Sequence, residues 1–384
     1  MIVKQIATIM NEAYEEMTGQ SALVAEDLSN LADAGHAVFN ANQAETFLGA
    51  LVNRIGRMIF VDRPYAGSAP KILMDAWTFG SVLAKYSTDM PEAEDFPLYD
   101  LVDGTIYSQD KYTEAKARAK FYNTRLTLQV VCPSITEEMF AQAFISADEM
   151  NRFISMLYTA CENKMTCLID DLIYRVIIAQ AVATIVDEYG ANPLSGASHV
   201  RAVNLLKLYN DQFGESLTRG TCLYDPAYLR FAGETMRMYL KYMQKMSVLY
   251  NNEGRERFTP TDLLHVVLHA NFISKTVTYL QSSTFHDELI KLPKYEEVTE
   301  WQGSGLTGDQ RMELSAKLGN DGTLIENCDI VGVMFDERAV AVGNLKRFNP
   351  THYNEVAHFY NVWYQMAVGP YRDDGENFVV FFNA

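Results

Sequence analysis

The sequence predicts an α+β protein in which an extended hairpin, one very long helix, a helix-rich region and closing strands follow one another. Three patterns predict this order. Apolar residues recur at helical spacing over residues 146–190, side chains alternate at strand spacing over residues 112–131, and two strongly apolar strand segments occupy residues 356–368 and 377–382. A chain of 384 residues is long enough for two domains or one elaborated domain.

The composition limits which functions are expected. Hydrophobic residues make up 48% of the chain, enough to bury a sizeable core. Lys and Arg total 32 against 49 Asp and Glu, which gives a net charge of −17. A negative field of this size repels nucleic acid and anionic membranes, so neither is expected as a sequence-independent ligand. No apolar run is long enough to predict a membrane span.

The first 58 residues predict three helices, over Val3–Met17, Ala22–Ala34 and Gln43–Met58. None of them carries enough apolar surface to stand alone. They form either a helical cap on the domain behind them or an arm that docks on a neighbouring subunit.

Residues 59–131 predict an extended hairpin. Residues 72–87 lean toward strand, residues 89–100 form an acidic loop with two prolines, and residues 112–131 alternate. Lys116, Arg118 and Lys120 fall on one strand face, opposite a face of alanines and Phe121. About 20 strand residues at 3.3 Å each make an arm about 60 Å long, too long to bury both faces within its own fold.

The hairpin is therefore predicted to lie on a neighbouring molecule. There the basic stripe can meet an acidic loop such as residues 89–100, and the alternative is a solvated strand face. The candidate inter-subunit contact residues are Trp77, Phe79, Asp95, Asp100, Lys116, Arg118, Lys120 and Arg125.

A short helix over Ser134–Phe144 is expected to lead into the long helix of residues 146–190. Ser146 and Glu149 form a capping box, and Gly190 stands where a left-handed C-terminal cap is expected. At 1.5 Å per residue this helix spans about 64 Å. A rod of that length needs a packing surface along its whole extent.

The helices and strands after residue 190 are predicted from shorter sequence patterns. Helices are expected over Ala197–Gly214 and from Asp225-Pro226 to about Tyr250, where Asp225 is the N-cap and Pro226 the first helical residue. Residues 262–280 fit either a buried strand plus a helix or one helix. Residues 329–342 predict a buried strand that turns into a short helix, and the apolar terminal strand requires cover. Four methionines are expected in core or subunit contacts: Met236, Met238, Met243 and Met246.

Two motifs suggest chemistry but lack the required context. Gly303–Gly308 matches G-x-G-x-x-G, yet the charged residues 294–302 before it do not predict a buried parallel strand, so a flexible loop is expected. His265 and His269 lie four residues apart, but Val266 stands where a zinc protease has glutamate. No metal or cofactor site is predicted.

The remaining polar candidates also predict structural roles. Asp170 and Asp171, in the middle of the long helix, are expected either to be exposed at a helix break or to pair with a cation. No nucleophile signature is present, so no catalytic residue is predicted. The five cysteines are expected to be reduced, buried thiols: Cys132, Cys161, Cys167, Cys222 and Cys328.

The order of these parts resembles that of the major capsid proteins of tailed bacteriophages, whose fold is shared with encapsulin shells. Three segments carry the resemblance in addition to the order. Residues 134–157 are similar to the stretch that leads into the family's spine helix, residues 284–305 to a loop of its globular domain, and residues 329–344 to its late strand and turn.

The resemblance implies a phage major-capsid fold with five parts. These are an N-terminal arm (1–58), an extended loop (59–131), a peripheral domain with the spine helix (132–190), an axial domain (191–342) and closing strands (343–384). It implies a structural protein, not an enzyme, that self-assembles as hexamers and pentamers into an icosahedral head shell. The shell would enclose double-stranded DNA without sequence-specific binding, and no cofactor is implied.

The same resemblance implies a place in the virion after assembly in the host cytoplasm, with a portal as partner. A separate scaffolding protein is expected because no long charged N-terminal segment is evident. Two alternatives stay open: an encapsulin-like compartment shell, and a nucleotide-binding enzyme that uses Gly303–Gly308.

Overall fold

A computed structural model of the chain describes residues 3–18, 24–25, 68–74, 83–88, 90–91, 101–105, 114, 117–122, 124, 126–131, 134–136, 147–190, 200–281, 295–301, 313–317 and 324–384. The helices in these ranges are α1 (Val3–Thr18), α2 (Ala147–Tyr189), α3 (Leu205–Phe213), α4 (Arg219–Cys222), α5 (Pro226–Met243) and α6 (Ala270–Gln281). The strands are β1 (Leu73–Met74), β2 (Leu83–Thr88), β3 (Ala117–Tyr122), β4 (Leu126–Val131), β5 (Ile135–Thr136), β6 (Ala202–Asn204), β7 (Leu264–His269), β8 (Glu296–Val298), β9 (Glu313–Lys317), β10 (Leu324–Asp336), β11 (Val340–Phe348), β12 (Thr351–Asn354), β13 (Phe359–Arg372) and β14 (Phe378–Asn383).

The long helix is continuous over 43 residues as α2, which confirms the helix predicted from apolar spacing. Gly190 follows it with φ +64°, and its amide donates to Val186 O at 2.8 Å, so the left-handed cap is confirmed. Ile169, Ile173 and Ile177 repeat every fourth residue and are buried. Through this stripe α2 lies against β4, β11, β13 and β14.

Within the described residues, β13 is the central strand of the first sheet, which contains β1, β4, β5, β11, β12 and β13. It pairs antiparallel with β11 along one edge and with β4 along the other. Its alternate side chains are buried, from Tyr360 through Tyr364 to Val368. One face of β13 is therefore buried and the other is only partly covered.

The second sheet runs in the order β6-β14-β10-β7-β8, and β9 also pairs with β10. Both of its faces are covered. Phe378, Val380 and Phe382 of β14 join the apolar cluster around α2, whereas Val379 and Phe381 join a second cluster with α3, α5 and α6. A strand buried on both faces has no polar alternation, which accounts for the unbroken apolar run at the end of the chain.

Several predicted boundaries are confirmed and others are wrong. Asp225 caps α5 by accepting from Ala227 N at 2.8 Å, as predicted, although the helix ends at Met243 and not near Tyr250. Residues 262–280 are a strand followed by a helix, and α1 matches its prediction closely. In the predicted second helix, Val24 and Ala25 are described and are not helical. The rest of that helix and the whole of the third lie outside the described residues.

Three predicted helices are absent or begin later than predicted, because strands occupy part of their residues. Ile135 and Thr136 are extended and pair with β13, so no helix begins at Ser134. Residues 202–204 form β6 beside β14, and α3 starts only at Leu205, where Asn204 accepts from Lys207 N. Residues 329–342 run from β10 through a short turn at 337–339 into β11 without a helix, and the two strands belong to different sheets.

The alternating stretch at residues 112–131 is not one hairpin strand. β3 pairs with β2, whereas β4 leaves the hairpin and pairs with β13 in the first sheet. Alternation alone cannot distinguish one long strand from two strands that belong to different sheets, which is why the prediction was wrong here.

Cysteines and methionines divide between core and surface. Cys222 and Cys328 are buried thiols, as predicted, but Cys167 is exposed and Cys161 is disulfide-bonded. Cys132 lies outside the described residues. Met236 and Met243 are fully buried, whereas Met238 and Met246 are exposed, so only the first pair are core residues.

Candidate subunit-contact site

The hairpin of β2 and β3 has two faces of opposite chemistry. Its antiparallel register places Ala84 opposite Phe121, Tyr86 opposite Ala119, and Lys85 opposite Lys120. Directly opposed residues in an antiparallel pair project to the same side. We call one side the aromatic face, formed by Ala84, Tyr86, Thr88, Ala117, Ala119 and Phe121. We call the other the basic face, formed by Lys85, Ser87, Arg118, Lys120 and Tyr122.

The basic face is bound to acidic residues of its own chain. Lys85 Nζ and Lys120 Nζ donate to the two carboxylate oxygens of Asp373, and the Lys120 contact is 2.7 Å long. Lys85 also pairs with Glu376, and Lys120 with Glu253. Because the Asp373 side chain is only 1% exposed, this carboxylate needs its cations in order to remain ionised there.

Burial and the neighbouring charges shift the pKa values of Asp373, Lys120 and Tyr122. Burial by itself would raise the pKa of Asp373, but hydrogen bonds from Lys120, Lys85 and the Gly375 amide lower it to about 2. Partial burial would lower the pKa of Lys120, yet its hydrogen bonds to Asp373 and Glu253 raise it. Partial burial, with the negative charge of Asp373, raises the pKa of Tyr122 as well. Asp373 and Lys120 are therefore both charged throughout the neutral pH range.

A further contact fixes the same face. Arg255 Nη1 donates to Ser87 Oγ at 2.7 Å, while Arg255 Nε pairs with Glu253 at 2.8 Å. A Cβ atom on Gly375 would stand 2.9 Å from Glu253 Oε2, so a larger residue at this point would require the Glu253 carboxylate to move. The hairpin, the turn and the loop around residue 253 therefore pack as one polar unit.

Residues 373–377 are the turn between β13 and β14, and they connect three parts of the chain. Asp374 accepts from Gln180 Nε2 of α2 at 3.1 Å, and its carbonyl accepts from the amide of Asn252 at 2.9 Å. Asn377 Nδ2 donates to Thr259 Oγ1 at 3.1 Å. No pattern used above predicts this turn. The signal for it is an acidic D-D-G-E-N segment between two strongly apolar strands.

The aromatic face is open to solvent. Tyr86 is 76% exposed and Phe121 62% exposed, although they contact each other edge to face at 6.4 Å between ring centroids. Ala84, Ala117 and Ala119 beside them are exposed as well. The hairpin thus turns its charged side toward its own chain and its apolar side outward, the reverse of an ordinary surface sheet.

A second anchor precedes β1. The amide and hydroxyl of Ser68 donate to Asp170 Oδ2 at 2.9 and 3.2 Å, and Tyr174 OH donates to Ser68 O at 3.1 Å. Asp170 therefore binds a neighbouring segment from an unbroken helix, and the predicted helix break at Asp170 and Asp171 is wrong.

Two of the eight predicted contact residues lie in the described part of the chain. Lys120 binds Glu253 and Asp373 of its own chain, and Arg118 is an exposed residue of the same face. The other six lie outside the described residues: Trp77, Phe79, Asp95, Asp100, Lys116 and Arg125. An inter-subunit role for these eight residues stays a prediction.

The other candidate sites carry structural contacts or cannot be described. His265 Nδ1 lies 3.5 Å from Glu296 Oε1, and His269 Nδ1 accepts from Asn271 N at the start of α6. Gly303–Gly308 lies outside the described residues. Where side chains are described, no group of three or more His, Cys, Asp or Glu could hold a metal ion. Across the same residues, no helix is long and apolar enough to cross a membrane.

The fold is similar to those of several phage structures. A chain from the structure of head fiber and inner core protein gp22 of native bacteriophage P68 has a TM-score of 0.50 and 10% identity, covering 82% of this chain and 83% of that one. The capsid of Staphylococcus phage Andhra gives a TM-score of 0.48 at 10% identity, with 84% and 87% covered. The capsid of cyanophage P-SCSP1u gives 0.44 at 13% identity, with 85% and 88% covered.

At 10% identity, the P68 similarity shows a shared fold only. The sequence itself is more specific, because the family description "Phi29-like phage major capsid protein" matches residues 6–382. The chain belongs to this family, and it is a structural subunit of a phage capsid shell. No curated protein matches the sequence. The predicted α+β class is confirmed, and neither the encapsulin alternative nor the nucleotide-binding alternative is favoured.

Proposed function

We propose that this chain self-assembles, as hexamers and pentamers, into the icosahedral head shell that encloses double-stranded phage DNA. Its mechanism is geometric: each copy buries extended elements on its neighbours, so that stability is shared among subunits and rises with concentration. The net charge of −17 supports a wall that does not hold the packaged DNA by sequence-independent attraction. We propose no enzymatic activity.

The observation that carries this proposal is the β2–β3 hairpin. A two-stranded hairpin is marginally stable alone in water. Here its charged face is bound to residues of its own chain and its aromatic face is exposed, so apolar surface remains for another molecule to cover. In a shell, a neighbouring subunit is always present to cover this surface.

We further propose the finer organisation that the resemblance implies. The division is an arm over residues 1–58, an extended loop over 59–131, a peripheral domain over 132–190, an axial domain over 191–342 and closing strands over 343–384. β11 crosses the last of these boundaries, so the closing strands and the axial domain share a strand. A scaffolding protein and a portal are the proposed partners, and the host cytoplasm is the proposed place of assembly.

The test is electron microscopy of the purified full-length chain in negative stain, with size-exclusion chromatography, over a range of concentrations and with a crowding agent. Closed shells, partial shells or rings of five and six copies are expected. A particle that remains a 43.4 kDa monomer under all these conditions would contradict self-assembly.

A deletion tests the hairpin itself. Leu83 and Tyr122 are paired across the two strands, so a short Gly-Ser linker can replace residues 83–122 while keeping β1 and β4. We expect a soluble, folded chain that does not close shells. Shells of normal size from this variant would show that the hairpin is dispensable for assembly.

A further inference from the structure

The two faces of the hairpin are not equally available to a neighbour. Lys85, Ser87 and Lys120 of the basic face are partly buried and hold polar contacts with Asp373, Arg255 and Glu253 of the same chain. Removing these groups to contact another subunit would leave the buried Asp373 carboxylate without its cations, which is costly. These three residues of the basic face are therefore already bound within their own chain before any neighbour arrives.

The aromatic face has the opposite properties. Its two rings are 76% and 62% exposed, and its other members are small, which allows a second backbone or apolar surface to approach closely. Exposed apolar surface next to charged surface is typical of protein contact sites. Tyr and Phe are also enriched at the centres of such sites, where they bury large areas.

We infer that the aromatic face, and not the basic face, is the surface through which the hairpin contacts a second copy of this chain. The inference rests on the proposed self-assembly and specifies which residues perform it. It also gives the basic face a different role from the one that charge alone suggests. That face positions the hairpin, because its ion pairs hold the aromatic face outward.

The size of the patch favours another copy of this chain as its occupant. Two aromatic rings bury roughly 300–500 Å² when fully covered. A stable complex of two proteins buries about 1,200–2,000 Å² in total. The patch alone is too small to hold a separate soluble partner, but it suffices as one part of a contact that every copy of a shell both offers and receives.

Site-specific photo-crosslinking tests the orientation. The full-length chain carries p-benzoylphenylalanine in place of Tyr86, is assembled with wild-type chain, and is irradiated as intact particles. We expect a covalent product of twice the 43.4 kDa chain mass. The matched control carries the same group at Ser87, the next residue of β2, which projects to the other face and should give no such product.

The result can overturn the inference in either of two ways. A dimer from position 87 without one from position 86 would assign the contact to the basic face. A product of position 86 with a different protein, or none in intact particles, would exclude a second copy as the occupant.

A charge substitution gives an independent measurement. The double variant Tyr86→Lys, Phe121→Lys should lower the assembled fraction about tenfold or more at a fixed concentration, since cations would have to be desolvated in the contact. Its thermal midpoint should fall only slightly, because both positions are exposed and the variant removes the edge-to-face contact between the two rings. Val356→Lys, at a position that is 93% exposed in the turn before β13, is the control for added charge.

The outcomes separate this inference from the proposed function. A normal yield of shells from the double variant would contradict the inference that the aromatic face is the contact surface, but it would not contradict the proposed self-assembly. Failure of the wild-type chain to assemble in the same experiment would contradict the proposed self-assembly, and this inference with it.

Discussion

Lys85 and Lys120 lie directly opposite each other on β2 and β3, and both donate to the single carboxylate of Asp373. Two like charges at opposed positions of a hairpin destabilise it unless a counter-charge lies between them. Asp373 supplies that charge from the turn before β14, and Glu253 and Glu376 supplement it. The hairpin is thereby coupled to β13 of the first sheet and to β14 of the second.

Replacing the shared carboxylate should loosen the hairpin. In Asp373→Asn the two lysines keep only their outer partners and repel each other. We expect a loss of about 2 kcal/mol in the free energy of unfolding, less than the ~3–5 kcal/mol of a fully buried pair because both lysines retain water contact. Urea denaturation measures it. The exposed Asp103→Asn is the control, and equal stability of the two variants would contradict the role of Asp373.

The same cluster predicts a pH dependence. The pKa of Asp373 is lowered from 3.8 to about 2 in the folded chain, so its contribution to stability is present above pH 4 and is lost as pH falls toward 2. The raised pKa of Lys120 acts at the other end, and its contribution is lost only as pH rises above 10.5. Urea midpoints measured from pH 2 to pH 7 should converge for wild type and Asp373→Asn at the acidic end. A constant difference would contradict this assignment.

Asp170 should anchor the segment before β1, whereas Asp171, the next residue of α2, should not. In Asp170→Ala, Ser68 loses its acceptor for both amide and hydroxyl, at a cost of about 1 kcal/mol. Hydrogen exchange should show faster exchange at the Ser68 amide. Asp171→Ala makes the same change in helix propensity and is the matched control, so equal effects would point to the helix and not to the anchor.

Trp301 should stabilise an irregular point of β10. The register between β10 and β14 shifts between Ile330 and Gly332, and the indole of Trp301 donates to Ile330 O at 2.8 Å in a fully buried position. Trp301→Phe removes that donor and leaves a buried carbonyl without it, which should cost about 1–3 kcal/mol by urea denaturation. Trp363→Phe, on a partly exposed position of β13, should cost less, and a reversed order would contradict the assignment.

Reversing the charge of the basic residues in two separate variants distinguishes ion pairing within the chain from contact with a neighbouring subunit. Lys120→Glu places an anion next to Asp373 and Glu253, so it should destabilise the isolated chain at every salt concentration. Because the aromatic face is the inferred contact surface, we expect Lys116→Glu with Arg118→Glu to leave assembly unchanged. Contact with an acidic surface of a neighbour would instead weaken assembly most at low salt, where attraction is least screened. Calorimetry and light scattering distinguish the two effects. Unchanged assembly at low salt would show that Lys116 and Arg118 make no such contact.

Local chemistry could be predicted from the sequence because it depends on neighbours in the chain. The 43-residue helix, its cap at Gly190 and the N-cap at Asp225 each follow from residues within one or two turns. The segments that were wrongly predicted lie where a strand partner decides the conformation. Residues 202–204 and 135–136 are extended because β14 and β13 offer them backbone partners, which local propensity does not reveal.

The sequence by itself determined the α+β class, the long helix, the apolar closing strands and the alternation that divides the hairpin into a charged and an apolar face. Only the tertiary structure decided which face turns inward. Lys120 meets Asp373 across 253 positions of sequence, and Lys85 meets it across 288. The physical reason is that a charged strand face is stable against either water or a set of carboxylates. The choice between them depends on folding that brings the turn before β14 beneath the hairpin.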